Sequence, residues 1–583
     1  MIKQKNTFVN NFLYLLTKNQ KKILLKLFFL MVIGLFFEII GVGLLLPILS
    51  IFSDTNSISK YHIISRVIKI LGNPSKQLLI IYLISFLILF YFIRGLFLIY
   101  LAWKQFLFTG NLYTYLSDYF FNGYVNLPYL FHTQNNSAPL IKNIQVEIDL
   151  LGSISQTSLI FLSEFFAAIS LVIILFLIQP IGALTILIFF LFSSLLYAKF
   201  FKNKLSIWGN ERMIHSERRS KYLMEGFGGI KDIKLFGVEN YFIKAFNLHT
   251  NKYANNAIKS GTVSHIPRHY LEFLSVFALG ISIFIIILTS EGKTDHALPF
   301  LGIFIASAFR ILPSVNRMIS SIQSIRYLIP VVNTLSKEKN TIEKNSINVN
   351  TSGNKTVYNF NQNIKIENIT FNYPGVSKAI LNNVNMVISV GDFVGIVGES
   401  GSGKSTLVDI LMGLYSPSFG SITVDNLNIS EDPISWRKNI GYVPQSIYLV
   451  DDTIIQNVAF GINEKDINLM GVEEAIKKAQ LNDFIESLPD KYNTKVGERG
   501  VRLSGGQKQR LGIARALYHN PKILIFDEAT SALDKKTEEN VIKSVLNLKD
   551  SYTIIMITHR LSTISNCDKL YSISSNELKL VKQ

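Results

Sequence analysis

The stretch GESGSGKST, Gly398–Thr406, decides how the second half of this chain is read. It follows the β-branched run FVGIV and precedes LVDILMGL, whose apolar residues recur at helical spacing. A glycine-rich loop between a strand and a helix is a phosphate cradle. Glycines let backbone N–H groups turn toward phosphate oxygens. Lys404 then reaches the β and γ phosphates of ATP, and the Ser405 hydroxyl ligates Mg²⁺. Gly398, Ser400, Gly401, Gly403, Lys404, Ser405 and Thr406 are the expected nucleotide contacts. The loop pattern alone recurs by chance, and its flanking strand and helix give it weight.

A second apolar run, ILIFDE, ends in two carboxylates. Asp527 at the strand end suits Mg²⁺ held through water. Glu528 suits a general base for the water that attacks the γ phosphate. A helix cap would explain one acid after a buried strand, but not two in succession. From about Ile364 onward, short β-branched runs alternate with helical patterns, as in an α/β domain.

The first half differs in kind. The chain has 583 residues, mean hydropathy +0.30, 49% hydrophobic and 17% charged residues, and a net charge of +17. Nucleic-acid binding is one reading of that charge. Lysines and arginines on cytoplasmic loops facing anionic lipid are the other, and the hydropathy favours it, so no nucleic-acid partner is expected. The single cysteine, Cys567, rules out an internal disulfide and a cysteine metal cage. The first 22 residues are too polar for a signal segment and read as a cytoplasmic lead-in with an interfacial helix. Six apolar runs follow, at Ile23–Phe52, Leu78–Trp103, Ile154–Gln179, Ile181–Phe200, Arg268–Thr289 and Leu298–Ser320. Each is long enough for a hydrocarbon core about 30 Å thick. Pro180 and Gly182 imply a tight turn between the third and fourth. The loops Lys104–Ser153 and Phe201–His265 read as helical extensions into the cytoplasm, by the positive-inside rule. The basic loop 54–77 conflicts mildly with an outside location. Within it Tyr61, Ile64, Val67, Ile68 and Leu71 share one helix face, so residues 57–71 read as an amphipathic helix on the outer surface. The polar stretch SKEKNTIEKNSINVNTSGNKT marks residues 331–363 as a linker between a membrane domain, 1–330, and a soluble domain, 364–583.

Here the motifs carry a resemblance. LSGGQ at Leu503–Gln507, followed by KQRLGIARAL, resembles the signature of ATP-binding-cassette (ABC) proteins. YVPQ resembles the loop whose glutamine, Gln445, senses γ phosphate and Mg²⁺. SALD resembles the loop holding Asp534, and ITHR the switch whose histidine, His559, contacts the γ phosphate. FNYPG places Tyr373 where the family stacks an aromatic on adenine. VGERG, Val496–Gly500, resembles a loop of exporter cassettes that meets the membrane domain. The resemblance implies catalytic roles for Glu528 and His559, and Mg²⁺ held by Ser405, Gln445 and Asp527, partly through water. It implies a split site in which Ser504, Gly505, Gly506 and Gln507 of one chain cover nucleotide on another, hence a homodimer. A polar serine beside glycines does permit close backbone approach to phosphate.

Six spans followed by one cassette resemble a half-size ABC exporter, which implies a type I exporter-like α-helical membrane domain followed by an α/β P-loop cassette. A soluble cassette ATPase would lack the six runs, and a channel or regulatory subunit has less need of Glu528. The segments Leu127–Leu151 and Gly228–Phe246 sit where exporters place their coupling segments. The first departs from the family pattern at Ala138 and Lys142. The lack of a peptidase-like domain ahead of the spans argues against a peptide-processing exporter.

Four arginines fall in the apolar runs: Arg94, Arg268, Arg310 and Arg317, against Glu38, Glu164 and Glu272. Arg268 and Glu272, four residues apart, fit an intrahelical ion pair. Arg94 has Glu38 or Glu164 as possible partners, and Arg317 is near enough to its helix end to snorkel. Arg310 has no acid within four residues. A guanidinium fork facing a water-filled cavity suits phosphate oxygens. FYFIRG, IPRHYLE and AFRILPSVNRMI, with the helix at 57–71, resemble the bacterial ABC flippases of lipid-linked oligosaccharides. That resemblance implies that these arginines engage the pyrophosphate of a polyprenyl-linked glycan, flipped across the bacterial inner membrane with the cassette in the cytoplasm. The alternative is export of another amphipathic anion, of lipid A type, or of drugs. Expected partners are a second copy of the chain, the lipid substrate and membrane lipids.

Overall fold

The computed structural model describes residues 8–44, 75–178, 180–289, 297–346, 357–376, 378–528, 535–558 and 564–582. The chain divides into two units, Met1–Leu127 with Asn135–Asn348, and Pro128–Gln134 with Val349–Gln583.

The first unit is helical. Its elements are α1 (Phe8–Leu15), α2 (Lys18–Gly43), α3 (Lys76–Val125), α5 (Ser137–Lys142), α6 (Ile148–Ile178), α7 (Pro180–Gly228), α8 (Ile230–Phe236), α9 (Glu239–Thr289) and α10 (Ala297–Ser346); α4 (Tyr129–Gln134) belongs to the second unit. A π-helical turn, Asn143–Glu147, joins α5 to α6. Among the described residues, Lys18–Gly41, Gln77–Val125 and Ser137–Ile174 are long and apolar enough to cross a membrane. The other three expected runs fall on α7, α9 and α10. Pro180 opens α7 and Gly182 lies inside it, so the helix starts at once rather than after a turn through Gly182. Proline suits a first helical position, where its missing N–H would have no partner.

The stretch expected as a linker from residue 331 is helical to Ser346. Its polarity hides a buried stripe of Val331, Leu335 and Ile342 at helical spacing. It also hides partners far away in sequence. Asn11 Nδ2 donates to Asn333 Oδ1 at 2.9 Å, Lys339 Nζ donates to the Tyr14 carbonyl at 2.8 Å, and the Tyr14 hydroxyl bonds Glu343. Thus α1 is docked on α10. The expected outer-surface helix at 57–71 lies outside the described residues.

In the second unit, a four-stranded antiparallel sheet, order β2-β1-β4-β5, comprises β1 (Asn363–Phe371), β2 (Leu381–Ser389), β4 (Phe419–Val424) and β5 (Leu427–Asn428). A six-stranded sheet has order β10-β9-β3-β8-β7-β6. Its strands are β3 (Phe393–Gly398), β6 (Ile440–Val443), β7 (Ile523–Asp527), β8 (Thr553–Ile557), β9 (Lys569–Ser574) and β10 (Glu577–Lys582). All pairs are parallel except β9 with β10. The β7 and β8 residues are buried throughout, as a parallel sheet covered on both faces requires. The main helices are α11 (Lys404–Leu411), α12 (Leu469–Lys478), α13 (Gly505–Tyr518) and α14 (Lys535–Leu546). The strand ends of β3 and β7 bring the glycine loop beside the two carboxylates.

Candidate ATP site and membrane arginines

The glycine loop needs its glycines. Gly398, Gly401 and Gly403 have φ of 153°, 79° and 101°. A Cβ on Gly398 would sit 2.5 Å from the Ile573 carbonyl oxygen, and one on Gly403 3.1 Å from Ile380 and Leu381 side-chain atoms. The loop ends at the first turn of α11, where N–H groups without helical partners favour anions. Lys404 is buried, its Nζ 2.9 Å from the carbonyl oxygens of both Gly398 and Glu399. Among the described residues, Ser402 Oγ is buried without a hydrogen-bond partner. Ser400 is exposed, whereas Thr406 is buried and meets the Tyr373 hydroxyl at 3.1 Å.

Tyr373 is held by aromatic edges. Its ring stands edge-on to Phe371, centroids 5.2 Å apart, and to Tyr415 at 6.0 Å. Tyr415 stacks on Phe371 at 5.5 Å and on Tyr129 of α4 at 5.6 Å. Sequence reasoning missed Tyr129 and Tyr415, which no motif marks.

On the carboxylate side, Ser405 Oγ donates to Asp527 Oδ1 at 3.4 Å and the Tyr442 hydroxyl donates to Oδ2 at 3.5 Å. Burial, with the neighbouring Glu528 charge, raises the Asp527 carboxyl above its usual range, against the hydrogen bonds of Ser405 and Tyr442. Glu528 has φ 44°, a left-handed conformation rare for a residue with a side chain. Its N–H still bonds the Ile557 carbonyl at 3.1 Å. Gln445 Nε2 donates to Glu528 Oε2 at 3.0 Å. Ser405, Asp527 and Gln445 therefore form an oxygen-donor set with surplus negative charge, which fits Mg²⁺.

Ser504 caps α13. The Gln507 N–H donates to Ser504 Oγ at 3.3 Å, and the Ser504 N–H donates to Gln507 Oε1 at 2.8 Å. This capping box engages both side chains while Ser504 and Gly505 stay exposed and Gly506 is buried. In VGERG, Gly497, Arg499 and Gly500 all have positive φ. Asp534 and His559 lie outside the described residues.

The membrane-run arginines have acidic partners. Arg94 forms an ion pair with Glu38 and lies 5.1 Å from the Tyr91 ring centroid. Arg268 pairs with Glu272 at 3.2 Å on an exposed face, as the spacing implied. Arg317 grips Glu164 with two nitrogens, at 2.6 and 3.3 Å. Glu164 thus serves Arg317 and leaves Glu38 to Arg94. Arg310 lies on α10, and its side chain is outside the described residues.

A further charged group was not foreseen. Glu147, at 0% exposure in the π-helical turn, is 3.5 Å from Lys142 Nζ and 3.3 Å from Arg212 Nη2. Lys142, one of the two residues that depart from the family pattern, is buried and also 3.8 Å from Glu217.

The second unit thus holds the geometry of a P-loop nucleotide site, and the first unit is helical with membrane-length apolar helices. Residues 381–531 match the family model for ABC transporter, and residues 24–304 match that for the ABC transporter transmembrane region. The chain is similar to an ATP-dependent lipid A-core flippase of Blochmanniella floridana, 30% identical over 473 residues, 81% of this chain and 80% of that one. One from Ralstonia nicotianae is 29% identical over 472 residues, 79% of this chain and 77% of that one. In fold it resembles a bacterial Atm1-family ABC exporter solved with ATP bound, at TM-score 0.75 and 24% identity, over 94% of this chain and 95% of that one. The chain belongs to the ABC transporter family. It is an ATP-driven exporter whose cassette hydrolyses ATP to power transport, a membrane protein with its cassette in the cytoplasm.

Proposed function

We propose that this exporter moves an amphipathic lipid with an anionic head group, of the lipid A-core class, across the bacterial inner membrane as a homodimer. The observation that carries this reading is the similarity to lipid A-core flippases, which runs through both units rather than the cassette alone. It favours the lipid A-type alternative over the polyprenyl-pyrophosphate oligosaccharide.

Chemically, Tyr373 stacks the adenine, and the glycine-loop amides with Lys404 hold the phosphates. Ser405, Asp527 and Gln445 would hold Mg²⁺, which would supply charge neutralisation for the phosphates when bound. Glu528 orients and deprotonates the attacking water, and His559 and Asp534 complete the γ-phosphate surroundings. Ser504 to Gln507 of the second copy close over the nucleotide.

The arginines support a second reading. Their local motifs resemble the oligosaccharide flippases, with Arg94, Arg268, Arg310 and Arg317 meeting the pyrophosphate. Their glutamate partners reduce the free positive charge that Arg94, Arg268 and Arg317 offer such a substrate. One reconstituted assay separates the two. Proteoliposomes receive a fluorescent lipid A-core lipid, a polyprenyl-pyrophosphate oligosaccharide or a neutral phospholipid. ATP-dependent flipping of the first supports the main reading, flipping of the second alone supports the other, and flipping of neither overturns both.

A further inference from the structure

A groove of about 260 Å³ lies between α1, α2 and α6. Leu13, Leu24, Phe28, Met31, Leu159 and Leu162 line it, with Lys21 at one end. Its floor is packed: Met31 and Leu159 are each 2% exposed, and Phe28 meets the Phe166 ring edge-on at 5.2 Å. Along α2, Lys21 to Met31 spans about 15 Å at 1.5 Å per residue. That is half of a hydrocarbon core about 30 Å thick, the depth of one leaflet. Lys21 and Lys22 lie just before the apolar run that starts at Ile23, so the groove descends from head-group level at the cytoplasmic face.

Charge selects the occupant. Glu38 is the first acidic residue of the chain, whereas Lys18, Lys21, Lys22 and Lys26 crowd the start of α2. Among the described residues none of these four lysines forms an ion pair. On α10, Glu343 is engaged by the hydroxyls of Tyr14 and Tyr119. Lys339 donates to the Tyr14 carbonyl and lies over the Tyr14 and Tyr119 rings.

We propose that this groove binds one anionic glycerophospholipid of the cytoplasmic leaflet, with an acyl chain along Leu24, Phe28 and Met31 and the phosphate at Lys21. The ligand is a resident bilayer lipid, separate from the exported one. Neither family motif nor ATP chemistry involves these residues.

Native mass spectrometry of the full chain in detergent, titrated with phosphatidylglycerol or phosphatidylethanolamine, tests this. The wild type should retain phosphatidylglycerol in preference. Lys21→Gln should weaken phosphatidylglycerol by about fivefold, the weight of one lysine at an anionic surface, and leave phosphatidylethanolamine unchanged. Leu24→Trp, which fills the groove, should weaken both. ATP hydrolysis in lipid-free detergent should be unchanged in each, showing that the protein is folded. Equal retention of the two lipids, or unchanged retention in Lys21→Gln, means annular lipid only and overturns the site. Displacement of phosphatidylglycerol by either candidate export substrate, lipid A or a polyprenyl-pyrophosphate oligosaccharide, would make the groove part of an export path and overturn the resident-lipid assignment. This result is independent of which lipid is flipped.

Discussion

Gln445 donates its side-chain amide to the Glu528 carboxylate at 3.0 Å, joining the loop after β6 to the end of β7. The contact fixes one oxygen of the proposed base, while the left-handed backbone at Glu528 turns its side chain out of the strand register. Glu528→Gln keeps the shape and removes the basic oxygen. Phosphate release should fall by at least about a hundredfold, the lower end of general-base catalysis, while ATP is still bound. Lys404→Ala should instead weaken nucleotide binding itself. Radiolabelled ATP retention measured beside phosphate release separates the two, and near-normal hydrolysis by Glu528→Gln would remove it as the base.

A second prediction concerns the crossing of α7 and α10. A Cβ on Gly209 would lie 2.0 Å from the Tyr327 carbonyl oxygen and 3.5 Å from the Pro330 ring. Backbone cannot yield as a flexible side chain does. Gly209→Ala should destabilise the protein by about 1–3 kcal/mol or more, despite alanine's better helix propensity. Gly110→Ala on α3, where a Cβ meets nothing within 4 Å, is the control and should be neutral or slightly stabilising. Thermal unfolding in detergent reads both, and equal midpoints would refute the steric argument.

The Glu147 cluster makes a third. Glu147→Leu leaves Arg212 at 2% exposure without its carboxylate. Breaking a buried pair in this way costs about 3–5 kcal/mol. The double change Glu147→Leu, Arg212→Met should recover a large part of that loss, because no guanidinium is then left buried and unpaired. If the double variant is no more stable than the single one, Arg212 does not depend on Glu147.

These cases show what could be read in advance. The candidate ATP site was legible as a pattern because its chemistry needs fixed residue types at short spacing: the loop at Gly398–Thr406 and the acids at 527 and 528 are local signals. The helical runs were legible from hydropathy. The Arg268–Glu272 pair was legible because i and i+4 are neighbours on a helix. Glu164 with Arg317, Glu147 with Arg212, and Tyr129 with Tyr415 join residues far apart in sequence, and no local pattern records them. The helix through Ser346 was misread as linker for the same reason. Its polar residues are satisfied by α1, more than three hundred residues earlier in the chain.

The last prediction follows from a carboxyl with no motif behind it. Asp409, on α11, has its pKa pushed up from 3.8 to about 6, first by burial and then by the charge of Asp527. In the unfolded chain the same group keeps its ordinary value. Between those two values the folded state holds the extra proton, so stability falls as pH rises from about 4 toward 6 and stays lower above it. Asp409→Asn abolishes the titration and leaves a neutral group of similar shape. Without nucleotide, the variant should therefore unfold at a higher temperature than wild type at pH 7.5. The gain should shrink steadily as the pH is lowered through 6 toward 4. Thermal unfolding of both proteins across that range is the measurement. A gain independent of pH, or a loss at pH 7.5, would mean that Asp409 is held charged by contacts stronger than the burial and repulsion that act on it here.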